Sequence, residues 1–500
     1  MSLRAKLTLG TATAASLLLL AGTATAAQPG APGIGDPYYP SAGNGGYDVS
    51  HYDIRLNYQP ANDNLSGTTT ILAKTTQDLT RFNLDFLLKA SSVRINNKVA
   101  RFTQAGGELV VDPRATLRAG TALTIVVTYS DVPSSHAVDG YTSWKRTPDG
   151  ALAIDQPDIA PWWFPSNNHP TDKATFDVSV AVPSGVEVIS NGTFGGTTQQ
   201  INGWTRWRYR SAQPQATYLA FVAIGQFEIR QSTDAAGRPV LNAYSERLGA
   251  DHGASVASIE RTPEVTEFLE ESFGPYPFEA QGGVATPGIG FALENQTRST
   301  YDAAFFRRGS NTYVVAHEVA HQWFGDSVSV RRWRDIWLNE GFASYAEFLW
   351  SEHVGEGTAQ ENADYLYSLY PADDPFWTVL PGDPGAANQF DGAVYDRGAM
   401  AVHALRAEIG DEAFFGLLKE WLAGHRNGDA SIEDFVALAE RVSGRQLDEL
   451  FRIWLFTPEK PAAAPGSAGG AQARTAVAPA EPKSYRKIRE TRELLAAHDH

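Results

Sequence analysis

The chain has 500 residues with no cysteine, and 41 basic against 57 acidic side chains give a formal charge of −16. The lack of cysteine excludes a disulfide framework, thiolate metal sites and a thiol nucleophile, so a metal here is held by His, Asp or Glu. The acidic balance argues against nucleic acid or an anionic membrane as partner, while 43% hydrophobic residues suffice for large cores.

In chain order, Arg4 and Lys6, an apolar stretch holding Leu17 to Leu20, and Ala24-Thr25-Ala26 read as an export signal cleaved after Ala26 or Ala27. The apolar stretch is diluted by Thr, Ser and Gly and falls short of the roughly 20 residues that span a bilayer. Removal of residues 1–26 takes away two basic and no acidic side chains, leaving 39 − 57 = −18. No other stretch is long and apolar enough to cross a membrane, so the sequence predicts a secreted, extracellular protein with no membrane span. Residues 27–46, rich in Pro and Gly, read as a flexible linker.

Residues 47–248 carry strand signals. Tyr52, Ile54, Leu56 and Tyr58 alternate with polar residues, Val186 to Ile189 precedes the turn dipeptide Asn191-Gly192, and Tyr218 to Ile224 is a continuous apolar run. The pattern predicts an N-terminal antiparallel β-sheet or sandwich domain. From residue 249 to 457 the period becomes helical: Val315, Val319 and Trp323 share one face, and Ser431 with Asp434 forms a capping box. Residues 458–500 read as a solvated Pro/Ala-rich tail with a basic end.

The strongest chemical signal is His317-Glu318-Val319-Ala320-His321. Residues four apart on a helix lie one above the other, so two imidazoles converge on one tetrahedral cation. Zn²⁺ suits such ligands and acidifies water, and Glu318, one residue from the first ligand, is placed to take the proton. A catalytic zinc needs a third protein ligand, and Glu340 is the candidate, 19 residues beyond His321 in Trp337-Leu338-Asn339-Glu340-Gly341-Phe342. That spacing lets one helix stop at Gly325 and a second helix bring a carboxylate back to the metal.

The segments HEVAHQWFGD and WLNEGFASY, from His317 to Tyr345, resemble the gluzincin zinc aminopeptidases typified by aminopeptidase N. The resemblance covers about Tyr47 to Phe456 and implies a β domain followed by a mainly helical thermolysin-like zinc peptidase domain binding one Zn²⁺. Where the family carries Gly-x-Met-Glu-Asn, this chain has Phe291-Ala292-Leu293-Glu294-Asn295. By that correspondence Glu294 binds the free α-amine of the substrate, within a peptide-binding segment that includes Ala292 and Asn295. Phe164-Pro165-Ser166 stands for the family's Phe-Pro-Cys, and Gln156, eight residues earlier, falls at a second amine-recognition position. Tyr395, in Tyr395-Asp396-Arg397-Gly398, matches the tyrosine that stabilises the oxyanion.

The resemblance therefore implies a short secreted aminopeptidase, lacking the C-terminal domains of larger members and more open at its catalytic face, that acts on peptides with a free N-terminal amine. The zinc triad alone fits a thermolysin-like endopeptidase equally well, and a non-catalytic peptide-binding relative is the other alternative. Asn295-Gln296-Thr297 also fits the glycan-acceptor pattern, overlapping the amine site. No oligomeric state follows from the sequence.

Overall fold

The computed structural model describes residues 27–138, 140–466 and 479–495. The expected export signal and the tail segments 467–478 and 496–500 lie outside them.

The N-terminal region is built on a sheet that runs, strand beside strand, through Thr193–Gln200, Trp204–Gln215, Ala174–Pro183, Tyr47–Gln59, Asn64–Thr75, Ala122–Asp131, Ala90–Ile95 and Lys98–Val99. Tyr52, Ile54, Leu56 and Tyr58 all face the core, as their alternation predicts. A bulge between Val49 and His51 shifts the parity, so that Tyr47 and Val49 are buried on odd positions and the later residues on even ones. Within this sheet the antiparallel expectation fails at one join: Ala174–Pro183 runs parallel to Tyr47–Gln59, because the chain returns to this sheet only after a long excursion.

A second sheet contains Phe227–Thr233, Pro239–Ser245, Gln281–Thr286, Ser299–Asp302 and the edge strand Ala292–Leu293. Pro239–Ser245 pairs parallel with Gln281–Thr286, so this sheet crosses residue 248 and the change of periodicity there is not a change of structural unit. Helices then follow: α1 (His252–Ile259), α2 (Thr262–Phe273), α3 (Thr312–His321), α4 (Trp337–His353), α5 (Ala359–Leu369), α6 (Gly392–Ile409), α7 (Asp411–Gly424), α8 (Ile432–Ser443), α9 (Asp448–Phe456) and α10 (Tyr485–Leu495). The capping box of Ser431 and Asp434 starts α8 as expected. No helix among the described residues is long and apolar enough to cross a membrane.

The two halves are tied by buried polar groups. Lys173 donates from Nζ to the carbonyl oxygens of Asp326 and Ser327 at 2.8 and 2.9 Å, immediately after α3. Burial pushes its ammonium down to about 7, so the two carbonyls serve as solvation in place of water.

Two expected loose segments are ordered. Residues 27–46 were expected to lack the apolar surface needed for order, yet the Asp36 carboxylate accepts from the backbone N–H of Tyr38, Tyr39 and Trp333, and Asn44 Nδ2 donates to Asp85 at 2.8 Å. Polar anchoring there adds to the packing of Tyr38 and Tyr39 against the core. The expected solvated tail instead forms α10, whose Ile488, Thr491, Arg492 and Leu495 recur at helical spacing and are buried. Substitution of Asp36 by Ala leaves three backbone donors without their acceptor, and urea unfolding is expected to show a loss of about 3 kcal/mol. A change below about 0.5 kcal/mol would mean that this segment is not anchored as described.

Candidate metal centre and active site

Helix α3 is capped by Asn311, whose side chain accepts from the N–H of Tyr313, and every residue of the helix is buried. It ends before Gly325, where φ is +123° and an added Cβ would lie 3.2 Å from Asn339 Nδ2. That turn aims the Phe324 carbonyl at His321, whose Nδ1 lies 3.0 Å from it. His317 Nδ1 lies 2.7 Å from Glu347 Oε1 on α4. With both Nδ1 atoms engaged, both Nε2 atoms are free to face one point.

That point is marked by Glu340 in the first turn of α4, whose Oε2 lies 3.4 Å from His317 Nε2 and 3.4 Å from His321 Nε2. The three ligand atoms lie within 4.8 Å of one another. A separation of 3.4 Å is the edge of a tetrahedron whose bonds are about 2.1 Å, the length of Zn–N and Zn–O bonds. The donor set, its spacing and the oriented Nδ1 partners therefore fit one zinc ion with an open fourth position.

Burial alone would push both imidazoles down. Glu340 and Glu347 around His317, and Glu340, Glu294 and Glu318 around His321, push them up instead. Burial likewise raises the Glu340 carboxyl, but the facing histidines hold it well below the usual carboxylate range. Protons and a divalent cation therefore compete for these two imidazoles. Glu318 is buried beside the triad; burial lifts its carboxyl to about 8, and its Oε1 has no hydrogen-bond partner among the described residues. A divalent cation next to it acts in the opposite direction, toward the carboxylate.

Glu294 follows the edge strand Ala292–Leu293, and its backbone carbonyl accepts from Gln322 Nε2 at 2.9 Å, one residue past His321. Gln156, reaching in from the β domain, donates from Nε2 to Glu294 Oε1 at 3.1 Å. One carboxylate oxygen of Glu294, one of Glu318 and a ring nitrogen of His321 also lie within 4.8 Å of one another. Burial raises Glu294, and nearby His321 counteracts it. Ala292, Glu294 and Gln156 line a cavity of about 20 Å³ with the metal triad, Glu318, Tyr395, Phe390 and Leu495. A wider cleft of about 610 Å³, lined by Lys145, Asp158, Trp162 and Ile289 among others, shares Gln156 with it.

Tyr395 comes from α6. Gly398 on α6 and Gly341 on α4 meet at Trp337: a Cβ on Gly398 would lie 2.8 Å from the indole and 3.1 Å from Gly341 Cα. This close approach of α4 and α6 sets the Tyr395 ring 5.9 Å from that of His317 at an interplanar angle of 27°. Burial, foremost, holds the Tyr395 hydroxyl protonated far above neutral pH.

Comparison with known proteins agrees with this geometry. Residues 49–219 match the peptidase M1 N-terminal domain and residues 257–454 the peptidase family M1 domain. A glutamyl aminopeptidase of Bitis rhinoceros is 28% identical over 58% of this chain and 32% of its own length; an aminopeptidase N of Streptomyces lividans is 29% identical over 59% and 36%. A Deinococcus radiodurans M1 zinc metallopeptidase variant, solved bound to a Tyr-Ser-Ala substrate, superposes with a TM-score of 0.77 at 30% identity, covering 87% of this chain and 99% of that one. The chain belongs to peptidase family M1. It matches about a third of the length of those two curated relatives.

This M1 chain brings together every sequence-predicted site residue except one. Asn295 is fully buried and committed to the frame, donating to the Leu219 carbonyl at 3.3 Å and accepting from Thr300 Oγ1 at 3.0 Å, so it presents no side chain to a peptide and no site for a glycan. Sequence reasoning missed Glu347, though it stands seven residues after Glu340 and hence on the same face of α4. It also missed Gln322, Phe390, Arg492 and Leu495, for which the chain offers no local signal. The metal-free protein is expected to take up one equivalent of zinc per chain, with proton release and an apparent affinity that falls as pH drops, because the raised imidazoles hold protons more firmly. By inductively coupled plasma analysis, Glu318→Gln keeps that zinc while His317→Ala and Glu340→Ala lose it; retention by both ligand variants would refute the ligand set.

Proposed function

We propose that the protein is a secreted zinc aminopeptidase that removes the N-terminal residue from peptides, with His317, His321 and Glu340 as the metal ligands. The observation that carries this reading is Glu294: a buried carboxylate, paired with Gln156, within one ammonium's reach of the metal triad and of Glu318. An endopeptidase has no use for a second buried anion beside the triad, and a binding protein has no use for a buried carboxyl there with one oxygen unpartnered. The M1 relative from Deinococcus radiodurans, solved bound to a Tyr-Ser-Ala substrate, supports a peptide as substrate. The charged start, apolar stretch and Ala24-Thr25-Ala26 site support export.

A zinc ion in the triad supplies a Lewis acid that polarises a carbonyl and lowers the pKa of nearby water. Glu294 receives the substrate ammonium while Gln156 holds its carboxylate in place, which fixes the first peptide bond over the triad. Glu318 accepts a proton from the attacking water and returns it to the leaving amine as the C–N bond breaks. Tyr395 keeps its phenolic proton at working pH and donates a hydrogen bond to the oxygen on which negative charge develops. The apolar walls of Phe390 and Leu495 keep bulk water from these groups.

Hydrolysis of aminoacyl chromophores and of short peptides, each with a free and an N-acetylated terminus, tests this reading. Free termini are expected to be cleaved at least about a hundredfold faster than acetylated ones, and Glu318→Gln is expected to lose about a thousandfold in rate. Equal cleavage of both forms would point to an endopeptidase, and no cleavage by the zinc-loaded protein would refute the enzyme reading.

A further inference from the structure

Helix α10 ends at the active site. Its Arg492 is buried and faces two carboxylates: Nε donates to Asp396 Oδ1 at 2.7 Å and Nη2 to Glu347 Oε1 at 3.1 Å. The same Glu347 oxygen is the one 2.7 Å from His317 Nδ1. Asp396 is the residue after Tyr395, and the guanidinium carbon of Arg492 sits 4.8 Å from the centroid of the Tyr395 ring. Tyr370 OH donates to the other Asp396 oxygen at 3.3 Å, so the carboxylate is held from two sides. Three residues past Arg492, Leu495 forms part of the cavity wall.

One guanidinium therefore joins a group that orients a metal ligand to a group that orients the tyrosine. Its planar fork makes this possible, since two nitrogens at fixed separation address two carboxylates at once. Removal of the cation leaves Glu347 and Asp396 as two buried carboxylates without their shared partner, which favours displacement of one of them. Displacement of Glu347 frees the His317 ring to turn, and displacement of Asp396 loosens the turn of α6 that carries Tyr395. We infer that Arg492, delivered by the C-terminal helix, is a positioning residue for the metal centre: through Glu347 it fixes His317 as a ligand, and through Asp396 and the ring face it fixes the Tyr395 hydroxyl.

The kinetic part of this inference rests on the aminopeptidase reading; the metal part does not. The full chain carrying Arg492→Met or Arg492→Lys is compared with the unaltered protein in zinc affinity by chelator competition, in kcat and KM on an aminoacyl chromophore, and in thermal midpoint. Arg492→Met is expected to weaken zinc binding and to lower kcat by tenfold or more each, with KM within about twofold, as loss of a ligand's supporting partner does. Arg492→Lys, which can pair with one carboxylate, is expected to recover part of the zinc affinity and less of kcat. In the Arg492→Met background, Tyr395→Phe is expected to cost much less than in the unaltered protein, because the hydroxyl is already misplaced. Zinc affinity and kcat within twofold of the unaltered protein would overturn the inference, as would an activity loss no larger than the unfolded fraction. Full additivity with Tyr395→Phe would overturn the link to the tyrosine. If the unaltered protein hydrolyses nothing, the aminopeptidase reading fails, and zinc affinity alone decides: an unchanged dissociation constant overturns the inference.

Discussion

Two imidazoles and four carboxylates, those of Glu294, Glu318, Glu340 and Glu347, are buried together in a core of tryptophan and phenylalanine. Isolated charges in such surroundings cost several kcal/mol each, so the arrangement persists only where every charge faces an opposite one or a divalent cation. The rest of the catalytic half follows from that constraint. His317 is met by Glu347, Glu347 by Arg492 and Glu294 by Gln156, while His321 is aimed by a backbone carbonyl. Burial raises the carboxyls of Glu294 and Glu318, and in the proposed reaction an arriving ammonium and an acidified water are what they meet.

The site lies on the seam between the two halves of the chain. His317, His321 and Glu340 come from α3 and α4, Tyr395 from α6, Glu294 from just past an edge strand, and its partner Gln156 from the β domain. Lys173, anchored on the carbonyls that follow α3, fixes the distance between the halves. In the proposed function this division separates two tasks: the triad would supply the chemistry, and the neighbouring sheet and domain would decide how much chain fits before it.

What was legible in the sequence was whatever depends on short separations. The imidazoles four residues apart, the strand alternation around Tyr52 and the capping box at Ser431 each encode their geometry locally. Glu340 was legible because a turn and a helix fit between it and His321, and Glu294, Gln156 and Tyr395 were read only from the family's motifs. What composition misjudged were the segments held by distant partners. Asp36 meets Trp333 across 297 residues and Arg492 meets Glu347 across 145, so a Pro/Gly-rich stretch and a basic tail were assigned to solvent although buried polar partners await them. Asn295 shows the converse: its place in the motif suggests a contact, whereas its side chain closes the frame behind Glu294.

The most direct test of the account is a crystal structure of zinc-loaded Glu318→Gln with an unblocked tripeptide. The peptide's ammonium is expected against the Glu294 carboxylate and the Gln156 amide, its first carbonyl facing the point shared by His317, His321 and Glu340, and the Tyr395 hydroxyl within hydrogen-bond distance of that carbonyl. A peptide running past Glu294, with residues on both sides of it and its amine in solvent, would contradict the account.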